Sequence, residues 1–412
     1  KMTSTLELKQ KLFITTVILI IARCGVFIPV PGIDHNSFYN SIGQNEILNF
    51  LNIFSGGGFT TIGIFALGIV PYINSSIIMQ ILTNIIPKLD HLQKEEGETG
   101  RQKITQITRV LTLIWALLQS TAVAYWIQPY VFNWNYYFIL DCVLTLTTGS
   151  IIIMWFSEVI TEYGIGNGAS LLIFQNIVSG LPKIFIQYSN KLYNKETTYK
   201  LALLLVLFFI MLMITIIIQE SKRKIIILSV RQLGKIQELY PQSYIPLKLN
   251  QGGVMPLVFA SATMALPPYI LRVIPNPNIQ KLCLLIFTNY LSYLVLYGIS
   301  IILFSYFYSS LVLNPQEIGK NLKKMGASIP NIRPGTDTTL YLKKILNKLT
   351  FLGAVFLFMI GLVPSIISNI IKLDFFKGLG ITSLLILVSV GIDTAKQIQT
   401  YIISQQYDNM IE

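Results

Sequence analysis

Long apolar runs alternate with short polar connections along this chain. Ten of them approach the length of a bilayer crossing: residues 12–30, 65–87, 110–131, 138–159, 169–188, 201–219, 254–274, 282–306, 351–371 and 379–392. A helix needs about 20 consecutive apolar residues to cross the hydrocarbon core. The pattern therefore predicts an all-α membrane protein with ten transmembrane helices. Several runs hold Pro or Gly, which a helical bundle tolerates because neighbours satisfy the freed backbone groups.

The connections predict how the helices are organised. Five runs precede the polar stretch 190–198 and five follow it, which divides the chain into an N-terminal half, 1–189, and a C-terminal half, 190–412. An odd number of crossings inverts one half relative to the other, and inverted repeats place functional cavities at their interface. Three connections are too long for turns: 31–64, 220–253 and 309–350. The first holds a short apolar stretch, 47–59, which contains Asn52 and Phe54 and is broken by Gly56, Gly57 and Gly58. It is too short to span, and predicts a re-entrant, plug-like segment or, alternatively, an ordinary helix of an external loop. The other two connections are basic. They suit docking of a soluble partner, or equally a solvated face over anionic lipid.

Charge orients the bundle. Only 12% of residues are charged and 53% are hydrophobic, where a soluble domain carries about 25% charged residues. Lys and Arg concentrate on the side of the chain ends. Lys9, Lys11, Lys88, Lys94, Arg101, Lys103 and Arg109 lie there, followed by Lys222, Arg223, Lys224, Arg231, Lys235 and Lys248 in the 220–253 connection. Lys320, Lys323, Lys324, Arg333, Lys343, Lys344 and Lys348 follow in the 309–350 connection. Lys and Arg excess marks the cytoplasmic side, so both termini are expected in the cytoplasm or its organellar equivalent. Two connections go against the trend. The 183–200 stretch is basic yet falls outside, and the connection after Glu158 and Glu162 has no base. The net charge of +12 implies contact with anionic membrane lipids, at about 1 kcal/mol per juxtamembrane base.

Candidate chemistry is sparse. Cys24, Cys142 and Cys283 lie in or beside apolar runs and read as small buried hydrophobes. His35 and His91 do not build a metal site alone. The Gly97–Gly100 segment lacks the Gly-Lys-Ser/Thr of a phosphate loop, and the Gly164–Gly168 segment lacks dinucleotide spacing. No catalytic triad can be assembled, and no acidic relay runs through the spans. The expectation is a non-enzymatic chain with no cofactor and no metal, whose pathway is polar at its mouths and apolar at its waist. Arg23, Asp141, Glu158 and Asp393 sit near run ends, where side chains reach the interface. No cleavable signal or transit peptide is visible, since Pro-Val-Pro-Gly follows the first run.

Particular strings carry a resemblance. FALGIVPYINSSIIMQILT (65–83) followed by KEEGETGRQKITQITR (94–109) resembles the second span and next loop of the SecY family of protein-conducting channels. ITEYGIGNGASLLIFQNIVSGLP (160–182) resembles its junction of spans four and five, and PLKLNQGGVMPLVFAS (246–261) its entry to span seven. NPQEIGKNLKKMGASIPNIRPGTDT (314–338) resembles the loop before span nine, and GITSLLILVSVGIDTAKQIQ (380–399) resembles span ten. The strings occur in family order over essentially the whole chain.

The resemblance implies two inverted five-helix halves closed around an hourglass pore. It implies an apolar ring at the waist from Ile69 and Ile73 in span two, Ala169 and Ile173 in span five, Val258 in span seven and Ile386 in span ten. A narrow apolar constriction dewets and resists ions. It also implies that 47–59 is the plug, with Asn52, Phe54 and a hinge at Gly56, Gly57 and Gly58. Spans two and seven would form a lateral gate, loosened by Pro71, Pro256 and Pro267. Arg333 matches a partner-docking residue, helped by Lys222, Arg223, Lys224 and Lys235. The distal half of 220–253 departs from the family by lacking a pair of adjacent arginines. Implied partners are a SecE-like single-span subunit, the motor ATPase SecA, the translating ribosome and preproteins bearing signal sequences.

Two rivals remain at this stage, a ten-span secondary transporter and a scaffold or insertase-like subunit without a pore. The transporter predicts ionisable residues at mid-depth, and the scaffold predicts neither ring nor plug. Richness in Ile, Lys and Asn points to a plastid-encoded protein of the thylakoid membrane, with a low-GC bacterial plasma membrane as the alternative.

Overall fold

The computed structural model describes residues 8–35, 38, 57–94, 97–189, 195–229, 244–253, 256, 257, 259, 260, 290–371 and 381–411. Nine of the ten expected runs coincide with helices among these residues. They are α1 (Leu8–Gly25), α3 (Val70–Ile85), α5 (Gly97–Ile127), α6 (Tyr136–Tyr163), α7 (Gly168–Ser189), α8 (Lys195–Glu220), α9 (Tyr290–Val312), α11 (Thr336–Ile371) and α12 (Ile381–Ile411). Most of the seventh run lies outside the described residues. Short helices α2 (Gly58–Thr61), α4 (Pro87–Lys94) and α10 (Pro315–Lys324) fill connections. Among the described residues, four helical stretches, within 97–130, 136–163, 294–324 and 336–363, are long and apolar enough to cross a bilayer by length and composition.

Two compact units are present, Lys1–Leu201 with Asp374–Glu412, and Ala202–Leu373. The last helix, α12, thus groups with α1–α7.

In the first unit, α5 packs against both α3 and α6. Its buried seam reads Thr108, Thr112, Ala116, Ser120 and Ala124, one small residue per turn. Small residues let backbones approach closely where lipid supplies no hydrophobic drive. The hydroxyls are satisfied within the helix: Thr112 Oγ1 donates to the Thr108 carbonyl at 2.7 Å and Ser120 Oγ to that of Leu117 at 3.0 Å. Val110, Leu113, Ile114 and Leu118 stay exposed on the other face, as expected for a helix bathed in lipid. At one end of this unit Phe38 stands edge-on to Trp126 and Tyr130, at 5.9 and 5.3 Å.

In the second unit α9 packs along α11, with Ser309 and Thr350 hydroxyls hydrogen-bonded at 2.8 Å in the buried seam. The two long basic connections contain sheet that their charged sequences conceal. Strand β1 (Lys222–Ile226) pairs antiparallel with β3 (Tyr244–Lys248), and β2 (Leu228–Ser229) with β4 (Ala327–Ser328). Ile225, Leu247, Ile329, Leu342, Ile345, Leu346 and Leu349 make a small core beneath them. The two connections therefore form one folded body. Asn314 caps α10 by accepting from the Gln316 amide at 3.1 Å, with Pro315 at the first helical position.

Three expectations are corrected. The second span's helix starts at Val70, because 65–69 makes turns through Gly68 at φ +53°. Pro71 therefore falls in the first helical turn, where no intrahelical donor is lost and nothing is loosened. Cys24 is exposed; only Cys142 is buried, and Cys283 lies outside the described residues.

Candidate functional site

Four of the six candidate ring residues meet in one apolar cluster of the first unit. Ile69 is 2% exposed and sits at the N-cap of α3; its carbonyl accepts from the Ile73 amide at 3.1 Å, stacking Ile73 one turn further on. Ile73, Ala169 and Ile173 are half-buried against the same cluster, which contains Ile18, Ala22, Val26, Phe65, Phe156 and Leu172. Ala169 and Ile173 are four residues apart and share a face of α7. Ile386 is 5% exposed on α12, and α12 packs against α7. Val258 lies outside the described residues.

Beside Ile69 the cluster leaves a cavity of about 10 Å³, room for roughly one water. Ala22, Val26, Phe65, Ile153 and Leu172 line it, with Asn176 supplying an amide. Sequence reading passed over a second amide: Gln175 Nε2 donates to the Leu19 carbonyl of α1 at 2.6 Å. An amide in an apolar run had no distinguishing mark, because its partner lies 156 residues away.

Of the plug candidates, Asn52, Phe54 and Gly56 lie outside the described residues. Gly57 has φ +91°, a left-handed conformation that suits glycine. Gly58 opens the α2 turn, and a Cβ there would meet Val26 Cγ1 at 3.2 Å. The chain just after it is fastened to the end of the first span. Thr61 Oγ1 donates to the Val26 carbonyl at 3.2 Å, and the Ile64 amide donates to the Ile28 carbonyl at 2.9 Å.

The docking candidates fall on the folded body of the second unit. Lys222, Arg223 and Lys224 are all exposed on β1, anchored by buried Ile225. Lys224 Nζ lies 4.9 Å from the Tyr244 ring centre. Arg333 is exposed, and its carbonyl accepts from Thr338 Oγ1 at 2.8 Å. Lys235 lies outside the described residues.

The profile of the SecY family matches residues 63–395. A protein translocase subunit SecY from Porphyra purpurea is 61% identical over 404 residues, covering 98% of each chain. The subunit of the same description from Synechococcus elongatus is 46% identical over 420 residues, 98% of this chain and 94% of that one. Among solved structures, one described by the statement that the SecY plug domain stabilises the closed state of the translocation channel superposes with TM-score 0.65 at 17% identity, over 98% of this chain and 94% of that chain.

Proposed function

The chain belongs to the SecY family, and we propose that Ile69, Ile73, Ala169, Ile173, Val258 and Ile386 ring the path of the channel this chain forms. It is the channel subunit of a protein translocase, moving unfolded preproteins across a membrane and releasing others sideways into it. The observation that carries the ring reading is the gathering of Ile69, Ile73, Ala169 and Ile173 in one apolar cluster. Aliphatic side chains at a waist exclude water and ions when they touch. They separate without breaking hydrogen bonds when an extended chain enters.

The 47–59 segment acts as plug, with Gly57 as the flexible end of a strap fixed at Val26. Arg333 and the β1 bases form the docking face for a motor ATPase of SecA type or the translating ribosome, because a folded body presents them outward. A SecE-like single-span subunit completes the complex, and the bases contact anionic lipid. Membrane insertion with the bases on the stromal side of a thylakoid fits the charge pattern and the plastid and cyanobacterial relatives.

The test is photocrosslinking from position 73 during arrested translocation of a preprotein. Crosslinks to the nascent chain are expected. Silence at 73, with crosslinks at control positions, would remove Ile73 from the path.

A further inference from the structure

The turn between α6 and α7 holds consecutive amides that are bonded by different helices. The Ile165 amide donates to Thr15 Oγ1 of α1 at 3.1 Å, and the Gly166 amide donates to Gln397 Oε1 of α12 at 2.7 Å. The turn itself is stiff. Gly166 has φ +88°, and a Cβ there would meet Leu171 Cδ1 at 2.9 Å and Thr394 Cγ2 at 3.0 Å. Asn167 Oδ1 accepts from the Ala169 amide at 3.1 Å, and Thr161 Oγ1 accepts from the Gly168 amide at 3.0 Å. On each helix a second contact lies one turn away: Lys11 Nζ sits 4.7 Å from the Tyr401 ring centre, four residues before Thr15 and four after Gln397.

Register connects this turn to the constriction. Gln397 follows Ile386 by eleven residues, about three helical turns, so both lie on one face of α12 about 16 Å apart. Ala169 and Ile173 begin the helix that leaves the turn. Sliding or rotating α12 against α7 would displace Ile386 relative to Ile173, since the two helices pack together. A dry seal requires the apolar side chains to meet at one depth.

We propose that the 163–167 turn is a clasp that sets the register of the ring-bearing helices, with Gln397 and Thr15 as positioning residues for the channel's seal. This rests on the ring reading above. It adds a control point remote from the waist, made of two neutral hydrogen bonds that can open and re-form.

The test compares Gln397→Leu, Gln397→Glu, Thr15→Val and Thr15→Ser in the full chain, reconstituted with its membrane partners in vesicles of fixed lipid composition. Halide efflux through the resting channel and export of a preprotein with a defective signal sequence are read together, beside thermal unfolding. Gln397→Leu and Thr15→Val are expected to raise resting leak about fivefold, the shift produced by losing one hydrogen bond of ordinary net strength. Gln397→Glu and Thr15→Ser keep an acceptor oxygen and should restore parental leak. Lowered unfolding temperature with parental leak in both acceptor-free variants would make the turn a simple brace and overturn the proposal. So would equal leak from Gln397→Leu and Gln397→Glu. Ile73→Asn, at a half-buried ring position, serves as the internal reference. If it leaks while Gln397→Leu and Thr15→Val do not, only the clasp falls; if Ile73→Asn also stays tight, the ring reading falls with it.

Discussion

Arg109 and Glu158 meet in a two-bond ion pair: Arg109 Nη2 lies 2.8 Å from Glu158 Oε2, and Arg109 Nε donates to Oε1 at 2.9 Å. The pair joins α5 to α6 near the end of α6, just before the connection that follows Glu158 and Glu162 and has no base. That connection goes against the charge trend in sequence, and the fold supplies its cation from the neighbouring helix.

The Glu158 side chain is 13% exposed and that of Arg109 is 48% exposed. Removing the cation strands a nearly buried carboxylate, while removing both charges does not. Arg109→Leu is expected to destabilise by about 1 kcal/mol, the half-exposed cation keeping the value below that of a buried pair. Adding Glu158→Gln should recover part of the loss. Denaturant unfolding in detergent checks this; equal losses from the single and double variants would mean that Arg109→Leu strands no carboxylate.

Glycines separate into those that touch and those that do not. A Cβ on Gly149 would run into the Ile64 carbonyl and meet its Cγ2 at 3.0 Å, whereas one on Gly180 has nothing within 4 Å. Gly149→Ala should cost about 1–3 kcal/mol, because the obstacle is backbone and cannot rotate away. Gly180→Ala lies within α7 and should be neutral or stabilise by up to about 1 kcal/mol. Unfolding midpoints of the two variants, side by side, decide it.

What the sequence revealed follows from how far each signal reaches. Helices α5, α6 and α11 announce themselves by composition alone, since twenty apolar residues need no partner to be recognised. Strand β1 does not: Lys222, Arg223 and Lys224 read as linker, and the strand exists because Ile225 and Leu247 bury together on α11. Leu228 pairs with Ser328, a hundred residues away, and no local pattern predicts such a pairing. The candidate ring isoleucines rest on string matching alone, because Ile is ordinary in any span. Gln397 escaped altogether; its partner amide is 231 residues distant. Gly97–Gly100 and Gly164–Gly168, set aside as nucleotide loops, have a conformational use at Gly97 and Gly166, both at positive φ.

Ile69 and Ile73 should respond differently to the same change. Ile69 is 2% exposed inside the cluster, so Ile69→Asn buries an unpaired amide and costs about 1–3 kcal/mol. Ile73 is half-buried, and Ile73→Asn should fold while wetting the constriction. Ion conductance of the resting channel should rise for Ile73→Asn, with relaxed discrimination against defective signal sequences. Unchanged conductance and unchanged discrimination in Ile73→Asn and Ile386→Asn together would argue against the ring.

Arg333 offers a way to separate docking from folding. Its side chain is exposed, while its carbonyl is tied to Thr338 Oγ1, a residue 2% exposed at the start of α11. The backbone there is held independently of the side chain, so Arg333→Glu should leave the unfolding temperature unchanged. It reverses one charge on the folded body that also carries Lys222, Arg223 and Lys224, all exposed on β1. An acidic partner surface would then meet repulsion where it met attraction. The expected outcome is loss of motor-driven translocation with channel conductance intact. Replacing the three β1 bases by Ala should weaken partner binding less sharply and flatten its dependence on ionic strength, because exposed charges act through a screened field. Thr338→Ala is the contrasting variant: it keeps the Arg333 charge but frees its carbonyl, and should weaken docking only as far as the loop loosens. Normal motor-driven transport by Arg333→Glu would take Arg333 out of the docking face. A lowered unfolding temperature would instead show that its side chain is part of the fold.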